Sequence, residues 1–157
     1  MKVAIRVDAS HVIGSGHLMR CLTLAHALKQ HQVETLFISR ELPDHMLGTI
    51  ETEGYKLVRL PAPVEPVVNP ANEYDEWLGV PWESDAEQTQ AALGAGVDCL
   101  IVDHYGLDHR WHRAVESMAG KILVIDDLAN RSLHCDFVLN QNLMSHPESA
   151  YQGLLAD

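Results

Sequence analysis

The sequence predicts an α/β domain built on one doubly wound parallel sheet, and three features of its patterning carry that prediction. Short runs rich in Val, Ile and Leu alternate with stretches of helical periodicity from the first residues to about residue 140. The runs at 98–103 and 121–125 are almost continuously apolar, as strands covered on both faces must be. Polar clusters follow directly on the ends of several of these runs. Strands that alternate with helices call for parallel pairing, with the connecting helices on both faces of the sheet.

Each element has a local reason. Residues 2–7 form a first strand in which Val3, Ile5 and Val7 alternate. Residues 16–31 form a helix, because Leu18, Cys21, Leu22, Ala25 and Leu28 recur at helical spacing. Residues 33–39, with Val33, Thr35, Phe37 and Ile38, favour a second strand. A helix over 44–53 stops at Gly54, and a short third strand spans 55–60. Pro61, Pro63, Pro66, Pro70 and Pro81 then impose a long irregular loop. No Lys or Arg falls between Arg59 and Arg110, whereas Glu65, Glu73, Asp75, Glu76, Glu83, Asp85 and Glu87 do. This acidic stretch reads either as a solvated surface leading into a helix or as a lid or interaction surface. A helix over 84–95 follows, with Ser84 as N-cap and Glu87 completing a capping box. After the strand at 98–103, Asp108 caps a helix that runs to 119 and ends at Gly120. Strands at 121–125 and 136–139 complete the order.

Composition bounds the function. At 157 residues the chain is one domain, long enough to bury about two-thirds of its unfolded surface. A formal charge of −11 argues against nucleic acid and anionic membranes as partners. One local pocket still suffices for a small anionic ligand. Cys21, Cys99 and Cys135 are widely spaced and form no CxxC pair, so they read as reduced thiols. No secretory leader is visible, and no apolar run approaches the ~20 residues of a membrane span. A cytoplasmic protein is therefore expected.

In a doubly wound sheet, ligands bind beyond the C-terminal ends of the strands. There the first strand delivers Asp8, Ser10 and the turn Gly14-Ser15-Gly16-His17. The strand at 98–103 delivers Asp103-His104-Tyr105-Gly106, the next Asp126-Asp127, and the last Asn140-Gln141-Asn142. Two glycines let the backbone approach a ligand, and a helix N-terminus offers free N–H groups to negative charge. The same helix end disfavours an imidazolium, so His17 suits a base that takes a proton from water. Arg20, one turn on, reads as a salt bridge or as a contact to a phosphate or an opposing loop.

Several chemistries drop out. Met19 stands where a dinucleotide fingerprint needs its third glycine, and the second strand ends Ile38-Ser39-Arg40 without an acidic residue. No Gly-Lys-Ser/Thr and no Gly-x-Ser-x-Gly is present. His109 with His112, and His134-Cys135-Asp136, lack zinc spacing. Asp126-Asp127 reads better as an acceptor of backbone N–H groups than as a magnesium site. No metal is expected.

Arg6-x-Asp8-x-Ser10-x-x-Ile13-Gly14-x-Gly16-His17-x-x-Arg20 is followed in order by Ile101-Val102-Asp103-His104-Tyr105-Gly106, Ile125-Asp126-Asp127, His134-Cys135-Asp136 and Leu139-Asn140-Gln141-Asn142. The series closely resembles the UDP-2,4-diacetamido-2,4,6-trideoxy-β-L-altropyranose hydrolases of pseudaminic acid biosynthesis. That resemblance implies the Rossmann-like N-terminal domain of a two-domain glycosyltransferase type B (GT-B) fold over residues 1–142, with 143–157 starting the inter-domain linker. It implies hydrolysis of a UDP-linked 2,4-diacetamido-2,4,6-trideoxy hexose at the anomeric carbon with inversion, releasing UDP and the free sugar. By the same resemblance His17 is the base for the attacking water, and Tyr105 orients that water or the sugar. Arg6, Asp8, Gly14, Ser15, Gly16, Arg20, Asp103, His104, Asn140 and Asn142 are then expected to bind substrate. UDP is already a good leaving group, so one positioned base suffices without the carboxylate pair of glycosidases. No metal or organic cofactor is implied. The UDP-gripping second domain of that family has no counterpart here and is expected in the same or a separate chain. Two alternatives stand beside this reading: a GT-B glycosyltransferase half-domain with His17 as base on an acceptor hydroxyl, and a non-catalytic partner subunit. Exposed apolar surface around Leu143, Met144, Leu154 and Leu155 would favour the latter.

Overall fold

The computed structural model describes residues 1–63, 74–143 and 147–155. Its strands are β1 (Lys2–Val7), β2 (Glu34–Ser39), β3 (Lys56–Arg59), β4 (Cys99–Asp103), β5 (Ile122–Ile125) and β6 (Phe137–Leu139). They form one sheet in the order β3-β2-β1-β4-β5-β6, and every pairing is parallel. The helices are α1 (Gly16–Gln30), α2 (Asp44–Thr52), α3 (Asp75–Leu78), α4 (Trp82–Leu93), α5 (His109–Val115) and α6 (Pro147–Ala150). This is the doubly wound, Rossmann-like α/β domain that the sequence predicts.

The two-residue period of β1 sorts the core. Val3, Ile5 and Val7 join Phe37, Ile101 and Ile125 on one face, against Leu18, Cys21, Leu22 and Ala25 of α1 and Ile50 of α2. Ala4, Ile38, Leu100, Val102 and Val124 occupy the other, against Ala86 and Leu93 of α4 and Trp111 and Val115 of α5. Strand order reverses between β1 and β4, which opens a crevice at their C-terminal ends.

Alternation also places Arg6 on the α4 face, where it is fully buried. Its guanidinium pairs with Asp8 and with Asp85 of α4, both at 2.7 Å. Asp85 further accepts from Arg40 at 2.7 Å, Trp111 Nε1 at 3.0 Å and Thr89 Oγ1 at 3.3 Å. Burial opposes ionisation of Asp85, but Arg6 and Arg40 outweigh it and hold the carboxyl well below the usual range.

This hub explains where α4 departs from expectation. The helix begins at Trp82 with Pro81 as N-cap, and no side chain caps it, so the Ser84–Glu87 box does not form. Pro81 has its φ set and no N–H to lose, which suits a helix entry. Asp85 lies on the buried face of α4, paired with Arg6 and Arg40, so part of the acidic stretch is core rather than solvated surface. The short α3, closed by Gly79 at φ 71°, is a second departure within the proline-rich loop. Residues 64–73, with Glu65, Pro66, Pro70 and Glu73, lie outside the described residues. Asp108 caps α5 as expected, accepting from Arg110 N at 2.9 Å, and a 3-10 turn at Glu116–Met118 finishes that helix. Near the C-terminus the chain folds back, with Leu133 N donating to Leu154 O at 2.7 Å. Among the described residues no helix is long and apolar enough to cross a membrane.

Candidate active site

The crevice is built by the turn after β1 and the end of β4, which lie side by side. Ser10 Oγ accepts from the N–H groups of Val12 and Ile13 at 3.2 and 3.1 Å, and Gly14 N donates to Ser10 O at 2.8 Å. Gly14 takes φ 81°, which a glycine adopts without strain. This compact turn starts α1 at Gly16 and delivers His17 toward Asp103, the last residue of β4.

His17 Nδ1 lies 2.6 Å from Asp103 Oδ1. Arg20 grips the same carboxylate with Nε on Oδ2 at 2.6 Å and NH2 on Oδ1 at 2.5 Å. Nδ1 also lies 3.1 Å from Arg20 NH2, but a carboxylate can only accept, so the shorter 2.6 Å contact assigns the imidazole proton to Nδ1, directed at Asp103. Nε2 is left with its lone pair. Burial disfavours the charge on Asp103, yet hydrogen bonds from Arg20 and His17 keep its carboxyl below the usual range. Cys21 Sγ also faces Asp103 Oδ2 at 3.4 Å, and burial and that charge push its thiol far up.

Aromatic rings wall the histidine. The Tyr105 ring stands edge-on to His17 at 4.6 Å, and Trp77 of α3 does so at 6.3 Å. Tyr74 packs edge-on to both Trp77 and Tyr105, at 4.9 and 5.3 Å. The Tyr105 hydroxyl donates to Asp127 Oδ1, and burial together with that carboxylate pushes its pKa up to about 12. Asp127 also lies 3.6 Å from Arg20 NH1, linking both sides of the crevice.

The remaining predicted residues separate into four groups. Gly14, Ser15 and Gly16 form the rim, where added bulk at Gly16 would meet only open space. Arg6, Asp8 and His104, expected to bind substrate, are 0%, 1% and 2% exposed and lie beneath the open crevice. They are the floor: Asp8 accepts from Ser39 Oγ at 2.9 Å and Arg40 N at 2.7 Å, and His104 Nε2 lies 3.5 Å from Asp8 Oδ2. Burial pushes His104 down to about 4. Arg20 is paired with Asp103 and lies near Asp127, as its salt-bridge reading expects. Asn140 and Asn142 close a turn after β6, with Asn142 N on Asn140 Oδ1 at 2.9 Å. β6 is two strand positions from β4, whose end holds His17, about 10 Å away, so these two do not touch His17.

Each residue of Asp103-His104-Tyr105-Gly106 thus has a distinct task. Gly106 is required because a Cβ there would sit 2.6 Å from the carbonyl oxygen of Tyr74. Sequence reasoning brought Asp127 to the crevice without giving it a role there, and missed Tyr74 and Trp77. The available signal was two aromatic side chains within an otherwise acidic, proline-rich loop.

Charge limits what this crevice can hold. Four guanidiniums, of Arg6, Arg20, Arg40 and Arg131, face five carboxylates, of Asp8, Asp85, Asp103, Asp126 and Asp127, and each guanidinium is paired. Asp126 accepts from Ala129 N at 2.9 Å and pairs with Arg131 at 2.5 Å. Among the described residues no three His, Cys, Asp or Glu side chains converge as metal ligands.

No family model matches the chain. It is 29% identical over 156 residues to the UDP-2,4-diacetamido-2,4,6-trideoxy-β-L-altropyranose hydrolase of Campylobacter jejuni, a match that covers 99% of this chain and 46% of that protein. It is also 21% identical over 141 residues to the uncharacterized protein MJ1062 of Methanocaldococcus jannaschii, covering 89% of this chain and 25% of the relative. The chain therefore spans half or less of the curated relatives it matches.

Proposed function

We propose that this chain is the water-activating, N-terminal half of a nucleotide-sugar hydrolase acting on a UDP-linked 2,4-diacetamido-2,4,6-trideoxy hexose. One observation carries the proposal: His17 presents an unpartnered Nε2 to the crevice while Asp103 holds its Nδ1–H at 2.6 Å. The similarity to the Campylobacter hydrolase along 99% of the chain supports the choice of reaction.

In this reading a water bound between His17 and Tyr105 attacks the anomeric carbon from the face opposite UDP. Its proton passes to Nε2, the bond from carbon to the phosphate oxygen breaks, and the electron pair leaves with UDP. The anomeric configuration inverts. Asp103 stabilises the imidazolium as it forms, as a buried carboxylate does for a catalytic histidine. Arg20 keeps Asp103 ionised, and the aromatic wall excludes competing water. Tyr105 has its proton committed to Asp127, so its oxygen serves as an acceptor toward water or sugar. Since every guanidinium of the crevice is paired, the charge of the diphosphate is compensated by a second, UDP-binding domain outside residues 1–157, with residues 1–142 as the catalytic domain and 143–157 leading toward it. The three free thiols fit a reducing, cytoplasmic setting.

UDP release from the 157-residue chain and from a protein of the relatives' full length tests the reading. The isolated chain turns over slowly or not at all, and His17→Ala in the longer protein loses about 100-fold or more. Undiminished release by His17→Ala would remove His17 as the base, and robust release by the isolated chain would remove the need for a second half.

A second reading, a non-catalytic subunit that docks on a partner, is favoured by one observation. Phe137, Leu139, Leu143 and Leu155 are 56%, 43%, 106% and 52% exposed near the β6 edge. Leu154 is half-buried, and Met144 lies outside the described residues. Supplying the nucleotide sugar with and without an acceptor separates hydrolysis from transfer.

A further inference from the structure

One carboxylate of the crevice is left over. Asp8 and Asp85 pair with Arg6, Asp103 with Arg20 and Asp126 with Arg131, each within 2.7 Å. Among the described residues, Asp127 has only the more distant Arg20 guanidinium, at 3.6 Å. Its short contact is with an uncharged group, the Tyr105 hydroxyl.

Sheet register brings these two together. β4 and β5 pair with Val102 opposite Val124, an offset of 22 that carries past the strand ends to Tyr105 and Asp127. The ring of Tyr105 is held on several sides. His17 stands edge-on to it at 4.6 Å and Tyr74 at 5.3 Å, Trp77 tilts over it at 5.8 Å, and the Arg131 guanidinium lies 5.7 Å from its centre. What remains to be set is the direction of the hydroxyl proton, since a phenol oxygen both donates and accepts. A carboxylate can only accept, so Asp127 takes that proton. Arg20 lies beside the same oxygen and grips Asp103 at 2.5 and 2.6 Å. One guanidinium thus ties the Tyr105–Asp127 pair to the His17–Asp103 pair.

The two pairs share a polarity. In each, a carboxylate draws a proton to itself and leaves an acceptor behind, Nε2 on His17 and the oxygen on Tyr105. Water that attacks carbon needs this arrangement. It gives one proton to a base, rests the other on an acceptor, and keeps a lone pair free for the carbon. A Tyr105 hydroxyl turned the other way would bond that lone pair and oppose the attack.

We propose that Asp127 is a positioning residue that fixes Tyr105 as an acceptor, so that Tyr105 and His17 together engage both protons of the attacking water. The first proton moves to Nε2 as the new bond from oxygen to carbon forms. The second stays on that oxygen in the released sugar. The role of the water rests on the hydrolase reading above, whereas control of the Tyr105 proton does not.

Two measurements test this. In the 157-residue chain, carbon NMR of the Tyr105 ζ-carbon follows ionisation of the phenol, which burial and Asp127 push up to about 12. Asp127→Asn moves that midpoint down toward the ordinary value of 10, and Asp127→Glu largely keeps it. In a protein of the relatives' full length, Asp127→Ala lowers kcat for UDP release about tenfold or more with KM nearly unchanged. Adding Tyr105→Phe to Asp127→Ala recovers part of the loss, because a ring without a hydroxyl cannot donate to the water. A purely structural Asp127 would give two losses that add. An unchanged Tyr105 midpoint in Asp127→Asn, or a double variant no faster than Asp127→Ala, would overturn the assignment. Absence of UDP release from the unsubstituted longer protein would instead remove the hydrolase reading and the water's role with it, and the Tyr105 midpoint still decides what Asp127 does.

Discussion

Asp85→Asn is the most informative single change for the fold. The Asp85 carboxylate accepts five hydrogen bonds, two from Arg6 and one each from Arg40, Thr89 and Trp111. Asparagine keeps the shape but turns one acceptor into a donor facing a guanidinium. It also removes a charge, so Arg6 keeps Asp8 as its carboxylate while the Arg40 guanidinium loses its ion-pair partner. Breaking a buried ion pair from one side costs about 3–5 kcal/mol, against a total stability on the order of 10 kcal/mol for a domain of this size. At about 2–4 °C per kcal/mol, the melting temperature falls by roughly 6–20 °C. Urea melts followed by circular dichroism and tryptophan fluorescence measure the loss directly. Asp85 sits well below its unfolded pKa, so its contribution is present above pH ~4 and fades as pH falls below it. The wild-type advantage over Asp85→Asn therefore shrinks toward pH 3. A loss under about 1 kcal/mol at pH 7, or an advantage unchanged at pH 3, would refute the assignment of Asp85 as a charged hub.

Three further outcomes are expected. Asp103→Asn in the longer protein lowers UDP release by two or more orders of magnitude, about what a mispositioned catalytic imidazole costs, with KM nearly unchanged; steady-state kinetics check it. His112 and His104, pushed down by burial to about 3 and about 4, are neutral in the fold and charge more readily when unfolded. Their stabilisation is complete above pH ~6.5 and is lost as pH falls toward their folded values. At about 1.4 kcal/mol per pH unit for each group, the urea midpoint drops between pH 7 and pH 5, and His112→Gln reduces that drop. Gly106→Ala drives a methyl group to within 2.6 Å of Tyr74 O, so the indole N–H resonance of Trp77 moves while that of Trp111 stays in place.

Much of the architecture was legible because strand patterning and glycine stops are local. The alternation of Val3, Ile5 and Val7 named one face of the sheet, and Asp108 announced its helix. The start of α4 was not legible, since Ser84 and Glu87 make a plausible cap whenever Asp85 is read as solvent-exposed. Its burial follows from Arg6 and Arg40, which only the tertiary fold places opposite it. For the same reason Arg6, Asp8 and His104 stood out as polar residues at strand ends without revealing that they neutralise one another beneath the crevice. Tyr74 and Trp77 were hidden for a different reason: a four-residue helix in a proline-rich loop has too little periodicity to detect.

The all-parallel sheet carries a consequence for biosynthesis. Parallel neighbours are never adjacent in sequence, and here the gap is wide: His17 and Asp103 are 86 residues apart, Arg6 and Asp85 79. At a synthesis rate of about 5–20 residues per second, the ribosome takes roughly 4–17 seconds to travel from one partner to the other. Through that interval one edge of β1 has no strand to pair with, and the Arg6 guanidinium has no α4 carboxylate to meet. The growing chain thus carries an open edge and an unmatched charge at the strand that will become the centre of the sheet. Folding of this domain is gated by the arrival of β4, and the His17–Asp103 pair forms only after that gate has closed.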